Sequence, residues 1–74
     1  MNERPLTVLD LRRKAVDRTP VLWPEMAVVG RVTRVSRAGT WADMEWALSV
    51  SDLYGERSWR KRQSLARLHE WRHA

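Results

Sequence analysis

Thr40-Trp41-Ala42-Asp43-Met44-Glu45-Trp46-Ala47-Leu48-Ser49-Val50 is the stretch that decides the fold. Ala42, Met44, Trp46, Leu48 and Val50 fall on one side of an extended chain, and Trp41, Asp43, Glu45 and Ser49 on the other. Such alternation marks a strand with one face in a core and the other in water. Before it, Ala27 to Arg37 carries Val28, Val29, Val32, Thr33 and Val35, whose branched side chains favour strands, and Ala38-Gly39 supplies a turn. After it, Ser51 to Gly55 reads as a loop and Glu56 to Gln63 as a third strand, in which Trp59 is the only large apolar side chain.

Two hairpin registers make chemical sense. A three-residue turn with Gly39 at positive φ sets Arg31 opposite Glu45 and Gly30 opposite Trp46. A two-residue turn sets Arg34 across from Asp43 and Arg31 across from Trp46. In both, an acidic strand lies between two basic ones, and opposite charges face each other across the sheet.

Outside the strands, Thr7 to Arg18 has the pattern of a short amphipathic helix, with Thr7 and Asp10 spaced as a capping box. Val8, Leu11 and Ala15 share one face with Leu9 and Val16 near it, while Arg12, Arg13 and Lys14 lie opposite. Pro20 and Pro24 make residues 19–26 an extended connector in which Leu22 and Trp23 must find packing. Ser64 is placed to cap a C-terminal helical turn over 64–72, with Leu65, Leu68 and Trp71 on one side. The expected fold is one domain, mainly β with short helices (α+β): an antiparallel three-stranded barrel core over 27–68, flanked by an N-terminal helix and a C-terminal helical turn.

The net charge of +5 is unevenly spread. Residues 40–56 hold no Lys or Arg, yet Arg57-Ser58-Trp59-Arg60-Lys61-Arg62 follows directly. A positive field attracts nucleic acid, acidic protein faces or anionic membranes. The absence of Cys excludes disulfides and thiolate metal sites. His69 and His73 stand four apart, a spacing that holds a metal only weakly, and no metal or other cofactor is expected. No apolar run approaches the about 20 residues needed to cross a membrane, and residues 1–5 lack a signal peptide's apolar core. The expected location is the cytoplasm. A 74-residue chain has a thin core, which leaves room for a homodimer.

The basic cluster carries the main functional signal. Arg57, Arg60, Lys61 and Arg62 suit phosphate contact, and Trp59 suits base stacking. Alternatively, Trp59 belongs to the core, which puts Arg57 and Lys61 on its side and Arg60 and Arg62 outside, near Asp43 and Glu45. Trp41, on the polar face beside Asp43, is either a contact surface or is covered by the helix or by Leu22-Trp23. Trp23 and Trp71, with Trp41 or Tyr54, have the composition of an aromatic cage for a methylated cation. Arg12, Arg13, Lys14 and Arg18 offer a further phosphate contact. Asp43 and Glu45 share one face among arginines, which keeps both ionised and unsuited to general-acid work.

The order strand, turn, strand, loop, strand, short helix resembles small SH3-like barrels of the tudor type. Gly30-Arg31-Val32, Gly39, Met44-Glu45-Trp46, Gly55, Leu65 and Leu68 carry the likeness, which covers about residues 27–68. It implies a binding module for DNA, RNA, ribosomal or polymerase surfaces, or proline-rich or methylated peptides. The N-terminal helix and the longer Ser49–Glu56 loop depart from that pattern.

Together these features predict a non-enzymatic nucleic-acid-binding module acting through Arg31, Arg34, Arg37, Arg57, Trp59, Arg60, Lys61, Arg62 and Arg67, with mainly electrostatic contacts to DNA or RNA. The alternative is a small protein-interaction adaptor or inhibitor, of the kind phages and mobile elements carry. It would dock on a larger nucleic-acid-processing protein through Trp23, Trp41 and Tyr54.

Overall fold

The computed structural model of the chain describes residues 5–74. Among them the chain forms one α-helix and five strands: α1 (Val8–Asp17), β1 (Pro20–Trp23), β2 (Val28–Val35), β3 (Trp41–Ala47), β4 (Trp59–Ser64) and β5 (Arg72–His73). The strands make one antiparallel sheet in the order β4-β3-β2-β1-β5.

The helix begins where the sequence places it. Asp10 N–H donates to Thr7 Oγ1 at 3.2 Å, and Thr7 N–H donates to Asp10 Oδ2 at 2.9 Å, so the capping box is complete. Arg18, in the left-handed region at φ 61°, ends α1. Leu11 is buried, and Val8 and Ala15 pack on the core beside it. Leu9 and Val16 are exposed, contrary to expectation. At 3.6 residues per turn they sit about 160° and 140° round the helix from Leu11, on its far side.

Two segments expected to be irregular or helical are strands. The 19–26 connector contains β1, with Val21 and Trp23 turned into the core. Prolines favour extended backbone before them, and Pro20 stands at the first strand position, where its missing N–H is tolerated. A 3-10 turn, Pro24–Met26, and Ala27 at φ 54° then reverse the chain. The C-terminal helical turn contracts to a 3-10 turn, Leu68–Glu70, and the chain continues as β5 against β1. The expected three-stranded barrel is therefore a five-stranded sheet. Its edges, β4 and β5, do not pair with each other among the described residues, so the sheet is open.

Each of the two hairpin registers holds for half of the β2–β3 ladder. Gly30 faces Trp46, Arg31 faces Glu45 and Val32 faces Met44; beyond a shift, Arg34 faces Asp43 and Val35 faces Ala42. Thr33 is the extra residue of this bulge, and its hydroxyl donates to the Asp43 carbonyl at 3.0 Å. The turn closes with Gly39 at φ 73°. Ser36 Oγ accepts the Thr40 and Trp41 amides at 2.9 and 3.2 Å. Arg12 donates to the Ser36 and Arg37 carbonyls at 3.0 and 3.1 Å, so this arginine holds the hairpin rather than facing a ligand.

The core joins Leu6, Leu11, Val21, Val32, Ala42, Met44 and Leu65 to three tryptophans. Trp46 stands edge-on to Trp71, centroids 5.2 Å apart, and both tilt against Trp23 at 5.6 and 5.5 Å. Ala42, Met44 and Trp46 point inward as the alternation predicts, but Leu48 and Val50 are 73% and 47% exposed. Strand β3 stops at Ala47, and a 3-10 turn, Ser51–Tyr54, takes over. That turn folds back on β2 and β3, where Ala47 and Leu53 are buried outside the main core.

A Cβ on Gly30 would collide with the Trp46 ring. Gly30→Ala should therefore lower stability by about 1–3 kcal/mol, the usual cost of overpacking, and lower the melting temperature by at least several degrees. Thermal melting followed by circular dichroism checks this; an unchanged midpoint would show that Trp46 has room to move.

Candidate nucleic-acid interface

Alternation along β2, β3 and β4 puts the charged side chains, Lys61 excepted, on the face away from the core. Asp43 faces Arg62 on one side and Arg34 on the other, and Glu45 faces Arg60 and Arg31. Arg62 donates to both Asp43 oxygens, at 2.9 and 3.3 Å, and its guanidinium lies 3.7 Å from the centroid of the Trp41 ring. Arg34 approaches the same ring at 5.5 Å. Trp41 is thus half-buried, with the Arg34 and Arg62 guanidiniums over its ring. Glu45 accepts from Arg31 at 2.6 Å and from the Ser58 hydroxyl at 3.0 Å, and Arg31 lies over Tyr54 at 5.6 Å.

These contacts offset the charge of this face. The Arg62 hydrogen bond, helped by the charges of Arg62 and Arg34, holds the Asp43 carboxyl below its ordinary value, and Asp43 in turn raises Arg62. Arg31, Arg34 and Arg62, expected to touch phosphate, are engaged with carboxylates and rings of their own sheet.

Arg67 and Trp23, expected to touch nucleic acid and a protein partner respectively, both make contacts within the fold. Arg67 donates to Glu70 at 2.7 Å and to Glu25 at 3.3 Å, and lies 5.5 Å from the Trp23 ring. Trp23 is buried and donates from Nε1 to Glu70 at 3.1 Å. Trp71 is fully buried as well, so Trp23 and Trp71 form no cage with Trp41 or Tyr54. Arg37 sits in the β2–β3 turn, at the opposite end of the sheet from the start of β4. His69 and His73 lie in different elements rather than on one helix, and no three His, Asp or Glu gather to hold a metal among the described residues.

What remains is β4 and the residue leading into it. Arg57, Arg60 and Lys61 are exposed, and their side chains have no ion-pair or hydrogen-bond partner among the described residues. Trp59 lies on the core-facing side opposite Trp46, yet is 43% exposed rather than a core residue. Among the described residues no strand pairs with the outer edge of β4, and the ring is left partly in water. Arg60 and Arg62 do project on the other face, beside Glu45 and Asp43, as the alternation requires.

Beneath Trp59 is a cleft of about 80 Å³ lined by Trp23, Met26, Val28, Trp46, Trp59, Lys61 and Gln63. Met26, Leu48, Val50, Tyr54 and Trp59 are all exposed apolar side chains, and the register brings the segments that carry them to one end of the sheet. Met26 and Gln63 escaped sequence reasoning. Met26 joins the site only because the connector folds as β1, and Gln63 only because it alternates with Lys61.

No family model matches this chain, and neither does any curated protein or solved structure. No helix among the described residues is long and apolar enough to cross a membrane.

The Arg67 hydrogen bond, with smaller help from Trp23, holds the Glu70 carboxyl down to about 2, from an ordinary 4.5. The folded value lies below the unfolded one, so this contact adds stability above the ordinary carboxylate range and loses it as pH falls toward about 2. Between about pH 5 and about pH 2 the melting temperature of the wild type should fall further than that of Glu70→Gln. Parallel curves for the two proteins would show that Glu70 contributes nothing to acid sensitivity.

Proposed function

We propose that the protein is a non-enzymatic nucleic-acid-binding module of the cytoplasm, built on an SH3-like sheet, that holds the polyanion along β4. One observation carries this: Arg57, Arg60 and Lys61 are exposed and unpartnered among the described residues, and they surround a half-exposed Trp59. Free cations beside an accessible indole are what a phosphate chain with stackable bases requires. Arg31, Arg34 and Arg62 support the strand rather than the ligand, since each already has an acceptor or a ring. Asp43 and Glu45 support this reading as parts of the sheet, since each is held in an ion pair, with Arg62 and Arg31 respectively.

A second reading rests on the apolar end of the sheet. Tyr54 and Trp59, with Met26, Leu48 and Val50, have the composition of a protein-docking surface for a nucleic-acid-processing protein or a second copy of the chain. Trp23 and Trp41 are not available as anchors there.

Titration of labelled DNA and RNA at two salt concentrations tests the first reading. It predicts micromolar or tighter binding at low salt that weakens steeply as salt rises. Replacing Arg57, Arg60 and Lys61 together by Ala should flatten the log–log salt slope by about 2–3, whereas Arg34→Ala leaves it nearly unchanged. No binding at low salt would sink the proposal; a doubled mass in light scattering would favour the second.

A further inference from the structure

Resting on that reading, we infer that the ligand is single-stranded, and that one of its bases seats on Trp59 at the cleft between β4 and the Pro24–Met26 turn. Trp59 is a core-facing residue left without a cover. Its indole pairs across the ladder with Trp46, whose ring is buried, yet 43% of Trp59 stays in water. A base laid on that ring would complete burial that the open sheet leaves unfinished. The cleft below, about 80 Å³, has room for only two or three waters, so it forms a shallow seat rather than a pocket that swallows a nucleoside.

The walls of the seat fit a base. Met26 and Val28 give it an apolar side, and Met26 is itself exposed. Lys61 and Gln63 follow Trp59 on the same face of β4, at intervals of about 6.6 Å along the strand. In order they offer a stacking surface, a cation for phosphate, and an amide with both donor and acceptor for a base edge. Arg60 stands on the reverse face, so cationic charge flanks the strand from both sides.

Duplex cannot use this seat. Its bases are covered by their neighbours, and exposing one costs a few kcal/mol of unstacking and unpairing. Duplex would meet Arg57, Arg60 and Lys61 through phosphate alone. A single strand gains those contacts and the stacking term together.

The test compares single-stranded and duplex oligonucleotides of one sequence and length, by fluorescence polarisation at low salt, on wild type, Trp59→Ala and Trp59→Phe. Wild type should bind the single strand at least about fivefold more tightly than the duplex. Trp59→Ala should weaken single-strand binding roughly 5- to 150-fold, the range expected for one stacked base, and leave duplex binding within about twofold. Trp59→Phe, which keeps an aromatic face, should retain most of the preference. Tryptophan emission of the wild type should be quenched by the single strand and not by the duplex, an outcome independent of how well the variants fold. Equal binding of both forms, or equal loss of both in Trp59→Ala, overturns the inference while electrostatic binding stands. No binding of either overturns that broader proposal too.

Discussion

The Trp46 ring lies where a side chain at position 30 would be, and Gly30 lets it lie there. That close approach seats the indole against β2 and leaves its edges open to Trp23 from β1 and Trp71 from the C-terminal segment. Three large rings then join strands distant in sequence, giving a small domain much buried area per residue. The same contact fixes the register of the inner half of the hairpin. With Gly30 opposite Trp46, Arg31 must face Glu45 on the other side of the sheet. One residue further the Thr33 bulge resets the pairing, and Arg34 comes to face Asp43. The ion pairs of the outer face thus follow from packing on the inner one.

Charge and packing are linked through that register. Arginines set directly across from carboxylates are partly spent within the sheet, and Trp41 is held by the same guanidiniums. Strand β4, where the Arg60 and Lys61 side chains have no partner among the described residues, is one of the two edges of the sheet. An open edge invites pairing with other chains, and lysines and arginines along it are a common guard against that. On β4 the side chains that guard the edge are the ones we propose hold the ligand.

Much of this was legible from residue order. The alternation of 40–50 marks β3 as far as Ala47, and Thr7 with Asp10 marks the helix start. The two hairpin registers were both foreseen, but not that a bulge would use each in turn, because bulges depend on which packing wins on the far face. Strands β1 and β5 were missed for a simple reason. Four and two residues are too short to show a period, and they become strands only by pairing with each other and with β2. At the site, sequence marked Arg57, Trp59, Arg60 and Lys61 but could not separate them from Arg31, Arg34, Arg62 and Arg67. That separation comes from partners across the sheet, which only the fold supplies. Trp23 is enclosed by Trp46, Trp71 and Glu70, whereas Trp59, on an edge strand, stays 43% exposed.

Five indole N–H groups make this molecule its own reporter. A nitrogen–proton correlation spectrum, recorded while a short single-stranded oligonucleotide is added, resolves each tryptophan. The Trp59 signal should move progressively to saturation, accompanied by the backbone amides of Arg57 to Gln63, while those of Trp41 and Trp71 stay in place. Movement of Trp41 with Trp59 unmoved would put the ligand on the outer face and contradict binding along β4.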